Sequence, residues 1–206
     1  MDIKSLNRLL GNIDLYLLDL ILKGRFDKST KILDAGCGEG RNTHYFIQEG
    51  YSIYGIDKSP SAIKMARAYA TTLSPAFDPL RFQVAPVEDL PFHNGAFDAL
   101  LSSAVMHFAT DTVHFHRMLD EQMRVLVQGG IFWLRMCTDA DGLFKEMEHL
   151  ENGRALLPDG SERFILTNAL LEELMKKHHL HFVEPPKSVL VHGLRAMGVF
   201  LFKKEK

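Results

Sequence analysis

The chain has little cysteine, almost no net charge and no long uninterrupted apolar run. Its two cysteines, Cys37 and Cys137, exclude a disulfide framework and lack the spacing of metal ligands. The formal net charge of −2 gives no basic surface of the kind that binds nucleic acid, so we expect no nucleic-acid partner. Asp14 and Asp19 interrupt the longest apolar stretch, which argues against a membrane span.

The sequence also shows no targeting signal and no linker between domains. The N-terminus carries Asp2 and Lys4 without the apolar core of a signal peptide, so we expect a cytoplasmic protein with no membrane contact. The sequence has no repeat, low-complexity tract or linker. With 46% hydrophobic residues, 206 residues can bury one large core, which predicts a single domain over residues 1–206.

Apolar runs typical of strands alternate with helical patterns from residue 31 to residue 137. This alternation predicts an α/β fold with a mostly parallel sheet, right-handed crossovers and helices on both faces. Two further apolar runs on either side of Gly193 predict an antiparallel hairpin at the sheet edge, which brings the sheet to seven strands. The predicted strands are 31–35, 52–57, 80–85, 97–102, 131–137, 181–192 and 196–203.

Helical spacing and capping residues predict five main helices. Pro60 stands at the first position of one helix after Ser59, and Thr167 caps another. We interpret the Gly129–Gly130 pair as the stop after the fourth helix. The polar stretch 139–163 is expected to be loop-rich, with a weak helix near 143–150. The predicted helices are 5–23, 42–49, 60–73, 110–127 and 168–177.

The first predicted strand runs into a turn with three glycines, reading K-I-L-D-A-G-C-G-E-G. Gly36, Gly38 and Gly40 carry no Cβ, so the backbone can take positive φ and approach a ligand closely. The turn opens onto a helix N-terminus, where free N–H groups favour an anionic group. Asp57 ends the next strand, so the pattern fits a nicotinamide, flavin or S-adenosylmethionine site across two strands.

Three details favour S-adenosylmethionine over the dinucleotides. The first strand ends in Asp34 instead of continuing as an apolar run. The glycine spacing is G-x-G-x-G, with Arg41 where the dinucleotide pattern has another glycine. The chain also finishes with a helix and an antiparallel hairpin. A nicotinamide oxidoreductase stays the alternative at this point.

Five motifs follow one another along the chain: D-A-G-C-G-E-G, G-I-D-K-S at 55–59, V-E-D-L-P-F at 87–92, F-D-A-L-L-S-S at 97–103 and R-V-L-V-Q-G-G at 124–130. In this order they resemble the motifs of class I S-adenosylmethionine-dependent methyltransferases of the small-molecule type. The resemblance implies a Rossmann-like fold. Its segments would be an N-terminal helical cap (1–29), a cofactor-binding core (30–137), an acceptor-side insert or lid (138–166) and a final helix and hairpin (167–206).

The resemblance also implies roles for particular residues. The backbone at Gly36 and Gly38 would lie against the methionine and ribose parts of the cofactor. Asp34 would orient its ammonium, Asp57 would accept both ribose hydroxyls, and Arg41 would face its carboxylate. The implied cofactor-binding set is Asp34, Gly36, Cys37, Gly38, Arg41, Asp57, Lys58, Val87, Glu88, Ser102 and Ser103.

The adenine contact departs from the family pattern. Pro86 stands where the family often has an acid, so Glu88, Asp89 or main-chain groups at Val87 and Glu88 would have to contact the adenine amino group. Lys58 would flank the adenine with its aliphatic stem. Ser102 and Ser103 end the fourth strand, where small side chains would leave room for the methyl group.

The reaction implied is in-line transfer of a methyl group to an oxygen, nitrogen or sulfur atom of a small molecule, with S-adenosylhomocysteine as product and no metal. His107 matches a position that is often histidine in the family and is a candidate general base, with packing or capping as its alternative role. The N-terminal helix and the insert would build the acceptor pocket, with Tyr16, Tyr45, Arg154 or Arg163 as possible contributors. A non-catalytic S-adenosylmethionine-binding module or partner subunit is the alternative function, and a monomer or homodimer is expected.

Overall fold

A computed structural model describes residues 2–140 and 148–205. Six helices and eleven strands follow one another along these residues. They are α1 (Ile3–Leu10), α2 (Leu15–Leu22), β1 (Lys31–Ala35), α3 (His44–Gln48), β2 (Ser52–Asp57), α4 (Pro60–Leu73), β3 (Phe82–Val84), β4 (Phe97–Ser103), α5 (Thr112–Val125), β5 (Leu126–Thr138), β6 (Glu148–His149), β7 (Arg154–Leu156), β8 (Glu162–Phe164), α6 (Asn168–Lys177), β9 (Leu180–Phe182), β10 (Lys187–Val191) and β11 (Arg195–Lys204).

The main sheet has the strand order β10-β11-β5-β4-β1-β2-β3, and β9 pairs with β11 beside β10. The five strands from β5 to β3 are parallel, whereas β11 is antiparallel to β5 and to both of its outer neighbours. The predicted α/β fold, mostly parallel with an antiparallel C-terminal hairpin, is therefore confirmed. The predicted strand 181–192 is two short strands, because Pro185 and Pro186 cannot donate to a ladder between them.

Helices cover both faces of this sheet. Neighbouring residues of β1 point to opposite faces, so Leu33 joins one apolar core and Ile32 the other. Phe115 of α5 packs in the first core, together with side chains of α6. Phe46 of α3 packs in the second core, together with side chains of α2 and α4. No helix within the described residues is long and apolar enough to cross a bilayer.

The predicted helix 5–23 is wrong as a single helix. Gly11 ends α1 with φ +58°, and a Cβ there would lie 2.5 Å from the ring of His44. Asp14 then starts α2 by accepting the backbone N–H of Tyr16 at 3.0 Å. The apolar spacing runs through the break, so periodicity alone could not locate it. The break places Asn12 and Asp14 beside the glycine turn.

The helix starts that were predicted from capping residues are correct, whereas a helix end predicted from glycines is not. Ser59 caps α4 and Thr167 caps α6, as predicted. The interpretation of Gly129–Gly130 as a helix stop is wrong: α5 passes directly into β5, and both glycines lie inside that strand. Because glycine has low strand propensity, the sequence did not predict that β5 begins before residue 131. In the predicted strand 80–85, a 3₁₀ turn over Pro79–Arg81 precedes the shorter β3.

The segment expected to be loop-rich contains a small antiparallel sheet of β6, β7 and β8. It packs beside β5 and β11 through a small apolar cluster that includes Ala155, Leu157, Ile165 and Met197. Part of the predicted weak helix 143–150 lies outside the described residues, and its last residues belong to β6 and the turn after it. The insert thus adds a second, smaller sheet beside β5 and β11.

Candidate cofactor and acceptor site

The glycine turn after β1 is fixed to β2 by main-chain bonds. The N–H groups of Gly36 and Cys37 both donate to the carbonyl of Ile56, at 2.9 and 2.8 Å. Gly36 has φ +79°, and a Cβ on it would lie 2.4 Å from a methyl carbon of Val105. Gly38 has φ +55° and faces open space, since a Cβ there would meet no atom within 4 Å. The turn therefore presents bare main chain to its surroundings.

Asp57 closes this turn from the end of β2. Its Oδ2 accepts the N–H of Gly38 at 2.9 Å, and its Oδ1 accepts the N–H of Ser59 at 2.8 Å. An ionised carboxylate has about four acceptor positions. Asp57 thus holds the turn and still has capacity for two further donors, such as a pair of vicinal hydroxyls.

Two cavities meet at Gly36. The first cavity, of about 190 Å³, has a mainly apolar wall and lies on the Asp57 side of the turn. The second cavity, of about 380 Å³, is more polar and lies on the side of the N-terminal segment. The first is lined by Gly36, Asp57, Lys58, Val87, Glu88, Ala104, Val105, Phe108, His114 and Met118. The second is lined by Asn12, Gly36, Cys37, Gly38, Glu39, Arg41, Asn42 and Ser103.

A polar pair lies at the edge of the first cavity. The Nδ1 atom of His114 accepts the N–H of Thr110 at 3.1 Å, so the neutral ring carries its proton on Nε2. That Nε2 atom is 3.3 Å from Oε1 of Glu88, without the alignment of a hydrogen bond. The pair supplies a donor and an acceptor where Pro86 can supply neither from a side chain. Sequence reasoning could not place His114 here, because α5 is amphipathic and histidines are scattered along the chain.

Asp34 lies beneath the turn and does not line either cavity. Its side chain is 1% exposed, and neither carboxylate oxygen has a hydrogen-bond partner among the described residues. Burial raises the pKa of this carboxyl to about 7; the nearby Arg41 guanidinium opposes the rise and Asp57 adds to it. A cationic group bound above the turn would compensate this buried carboxylate.

The raised pKa of Asp34 predicts a pH-dependent stability. The pKa of Asp34 is about 7 in the folded protein, against an ordinary value of 3.8, so between these pH values the folded state binds the proton more tightly than the unfolded state. The resulting contribution to the free energy of unfolding is fully present below about pH 4 and is lost as the pH rises to 7. The interval corresponds to a loss of up to about 4 kcal/mol. We expect urea unfolding of the ligand-free protein to show this loss relative to Asp34→Asn between pH 4 and 7. Parallel pH profiles for the two proteins would contradict the assignment.

Arg41 lines the second cavity and is tied to the segment between α1 and α2. Its Nη2 atom is 3.3 Å from Oδ2 of Asp14, and its Nη1 atom donates to the carbonyl of Asn12 at 3.4 Å. The same Asp14 oxygen is 3.2 Å from Nη1 of Arg135. Asp14 thus joins two guanidinium groups, one beside the glycine turn and one on β5.

A third cavity, of about 210 Å³, adjoins the first, since Ala104 and Phe108 line both. Its other lining residues are His107, Arg135, Cys137, Arg163, Arg195 and Met197. The His107 side chain is 6% exposed, and burial lowers its pKa to about 4, with further lowering by the three arginines. Its Nδ1 atom is 3.5 Å from Sγ of Cys137. The imidazole is therefore neutral at pH 7.

The structure brings most of the sequence-predicted site residues to one place. Asp34 and Ser102 are buried below the cavities, and the Ser102 hydroxyl has no partner among the described residues. His107 lies apart from the first two cavities, in the third. The predicted residues that line the first or second cavity are Gly36, Cys37, Gly38, Arg41, Asp57, Lys58, Val87, Glu88 and Ser103.

The candidates for the acceptor side are divided. Arg163 lines the third cavity, but Arg154 forms an ion pair with Glu162 and lies outside it. Tyr16 and Tyr45 pack against the second apolar core. Sequence reasoning missed the residues from β5 and β11, namely Arg135, Cys137, Arg195 and Met197. Only the register of the hairpin on β5, which pairs Met197 with Cys137, brings them together.

The model of a methyltransferase domain family matches residues 33–134, which include β1 to β4, the glycine turn and Asp57. This domain belongs to the class I S-adenosylmethionine-dependent methyltransferases. Over 104 residues the chain is 34% identical to an uncharacterised methyltransferase of Synechocystis sp., a match covering 50% of this chain and 45% of the relative. It is 31% identical over 91 residues to the 2-heptyl-1-hydroxyquinolin-4(1H)-one methyltransferase of Mycobacteroides abscessus, covering 44% of this chain and 38% of that protein.

The methyltransferase domain therefore matches less than half the length of these curated relatives. The fold extends over more of the chain. A solved S-adenosylmethionine-dependent methyltransferase structure from Methanosarcina mazei superposes with a TM-score of 0.72 at 24% identity, covering 90% of this chain and 97% of that one. This likeness concerns the fold, and its coverage extends beyond the matched residues 33–134.

The residues present fit the cofactor of this family. The buried Asp34 carboxylate without a partner suits an ammonium group, and the free acceptor positions of Asp57 suit a ribose diol. The glycine turn is open at Gly38, where a Cβ would meet no atom within 4 Å, so a ligand can approach its main chain. Within residues 2–140 and 148–205, no group of three or more His, Cys, Asp or Glu side chains is arranged to hold a metal ion.

Proposed function

We propose that this chain is a methyltransferase that moves a methyl group from S-adenosylmethionine to an oxygen, nitrogen or sulfur atom of a small molecule. The observation that carries the proposal is the junction of the first and second cavities at the bare Gly36 turn, between Asp34 and Asp57. The third cavity adjoins the first at Ala104 and Phe108. The quinolone methyltransferase among the relatives is consistent with a small acceptor.

The residues around the first two cavities would hold the cofactor in parts. Asp57 would accept the ribose hydroxyls, and Val87 and Met118 would cover the adenine with apolar surface. The Glu88–His114 pair would face the polar edge of the base. Asp34 would compensate the ammonium, and Arg41 would offer its guanidinium to the carboxylate. In each case the side chain still has an unused hydrogen-bonding group, charge or apolar surface for the contact.

When bound, S-adenosylmethionine supplies a methyl group on a sulfonium: the acceptor's lone pair forms the new bond to carbon while the carbon–sulfur electron pair stays on sulfur. The protein would lower the barrier mainly by orienting the acceptor and the cofactor, and less by acid–base chemistry. Orientation of two reactants can account for about 7–11 kcal/mol of a barrier. The neutral His107 imidazole can take the proton that an oxygen or nitrogen acceptor loses.

Calorimetric titration tests the cofactor directly. We expect S-adenosylmethionine and S-adenosylhomocysteine to bind, and NAD to show no heat of binding. Incubation with cofactor labelled in the methyl group and a pooled set of metabolites then tests turnover. Binding without transfer to any acceptor class would favour the non-catalytic module, and NAD binding without S-adenosylmethionine binding would remove both interpretations.

Substitution of His107 separates its two possible roles. We expect His107→Gln to lower turnover of an oxygen or nitrogen acceptor on the order of 100-fold, because a proton acceptor is lost. The dissociation constant for S-adenosylhomocysteine should stay within about twofold, since His107 lines only the third cavity. His114→Gln is the matched control, expected to weaken cofactor binding instead. If the His107 variant loses cofactor binding, the residue is a binding or packing residue.

A further inference from the structure

Three arginines from three separate strands converge on the third cavity. Arg135 comes from β5, Arg163 from β8 and Arg195 from the start of β11. Nη1 of Arg195 is 2.9 Å from Oδ2 of Asp159. Arg163 donates to the carbonyl of Glu162 at 2.8 Å, and its guanidinium lies 4.8 Å from the centre of the Phe108 ring. Within the part of the chain that the structure describes, no carboxylate lies within ion-pair distance of Arg163.

The carboxylates near this cavity do not balance its positive charge. Asp14 forms ion pairs with both Arg135 and Arg41, and Asp159 forms one with Arg195. Two described carboxylates therefore pair with three guanidinium groups, and the fourth, that of Arg163, pairs with none of the described carboxylates.

The other polar lining groups add no negative charge. Burial raises the pKa of the Cys137 thiol to about 11, so it is uncharged at pH 7. His107 is neutral there as well, since its pKa is lowered to about 4 by burial and by the three arginines. The Nε atom of Arg135 is buried and without a partner among the described residues. The cavity is thus small, cationic and supplied with unused N–H donors.

We propose that this arginine cavity binds an anionic group of the methyl acceptor, a carboxylate or a phosphate. The inference rests on the proposed methyltransferase function and narrows its substrate class to small anions. A planar guanidinium group binds a carboxylate or a phosphate through two parallel hydrogen bonds, and three such groups line this cavity. The remainder of the acceptor would extend past Phe108 and Ala104 towards the first cavity. A neutral or cationic acceptor would leave the arginines uncompensated.

Matched pairs of small molecules test the charge requirement. We would titrate benzoate against benzyl alcohol, phenyl phosphate against phenol, and inorganic phosphate alone, into protein saturated with S-adenosylhomocysteine. We expect each anion to bind at least tenfold more tightly than its neutral partner. In NMR titrations, an anion should also move the pKa of the His107 imidazole upwards, because it offsets the charge of the arginines. Equal binding of the anionic and neutral partners would overturn the proposal.

Variants locate the binding. Arg163→Gln should weaken anion binding about tenfold or more, and Arg163→Lys should weaken it less, because it keeps the charge but loses the planar fork. Arg154→Gln is the matched control, since Arg154 lies in the same small sheet outside the cavity. S-adenosylhomocysteine binding should be unchanged in all three. Anion binding that Arg163→Gln leaves intact would overturn the site.

The two proposals fail separately. If S-adenosylhomocysteine does not bind, the proposed function is wrong, and phosphate binding to the ligand-free protein still tests the arginine cavity. If S-adenosylhomocysteine binds but no anion does, only the anionic acceptor is wrong. If anions do bind more tightly than their neutral partners, a preference for phenyl phosphate over benzoate, or the reverse, decides which oxyanion the cavity fits.

Discussion

Asp57→Ala is expected to weaken S-adenosylhomocysteine binding by about 2–3 kcal/mol, or at least thirtyfold in dissociation constant. Two effects add. The ribose diol would lose a charged acceptor, and the glycine turn would lose its tie to β2. The second effect follows from the bonds that Asp57 makes to Gly38 and Ser59, at 2.9 and 2.8 Å. Calorimetric titration measures the loss, and urea unfolding measures the part due to the looser turn.

Asp98→Ala is the matched control for this prediction. Asp98 also accepts a backbone N–H, that of Lys31 at 2.9 Å, but it does so at the opposite end of β1, away from the three cavities. We expect its dissociation constant for S-adenosylhomocysteine to stay within about twofold. A change below threefold in Asp57→Ala would show that Asp57 does not hold the ribose.

The local sequence was enough to predict that the candidate cofactor-binding residues lie together around one turn. Asp34, the glycine turn and Asp57 are close in the chain or lie on adjacent strands, so one β-turn-α unit and one parallel pairing bring them together. Capping residues such as Ser59 and Thr167 likewise act within three residues, and both were predicted correctly. Features that depend on local backbone preference are therefore readable from the residues themselves.

The lining of the third cavity depends on contacts between distant segments, and most of it was missed for that reason. Arg195 reaches the third cavity only because β11 is antiparallel to β5 and pairs Met197 with Cys137. Arg135 reaches it because β5 lies beside β4, pairing with Ser103. The apolar run around Arg135 predicts a buried strand but not which cavity the side chain enters, and nothing near Arg195 in the sequence distinguishes it from a surface arginine. His114 is a similar case, since its place beside Glu88 follows from where α5 begins.

Gly36→Ala is expected to destabilise the protein by about 3 kcal/mol or more. Positive φ costs a residue with a Cβ about 1–2 kcal/mol. The new Cβ would also lie 2.4 Å from Cγ2 and 2.8 Å from Cβ of Val105, and a β-branched side chain has little rotameric freedom to move away. Overpacking of this kind adds about 1–3 kcal/mol. Urea unfolding of the ligand-free protein gives the total.

Gly38→Ala and a double variant separate the two costs. Gly38 has φ +55° and open space around it, so its alanine variant should lose only about 1 kcal/mol from the backbone term. Val105→Ala introduced into Gly36→Ala should recover the part due to collision with the methyl carbons of Val105, while the contact with its Cβ stays; the coupling free energy between the two positions measures the recovered part. Equal destabilisation by the two glycine substitutions, or no coupling with Val105, would contradict the close approach of the turn to that side chain. If the coupling is present, the turn's shape is fixed from both sides, by Ile56 and Asp57 of β2 and by Val105 after β4, before any ligand binds.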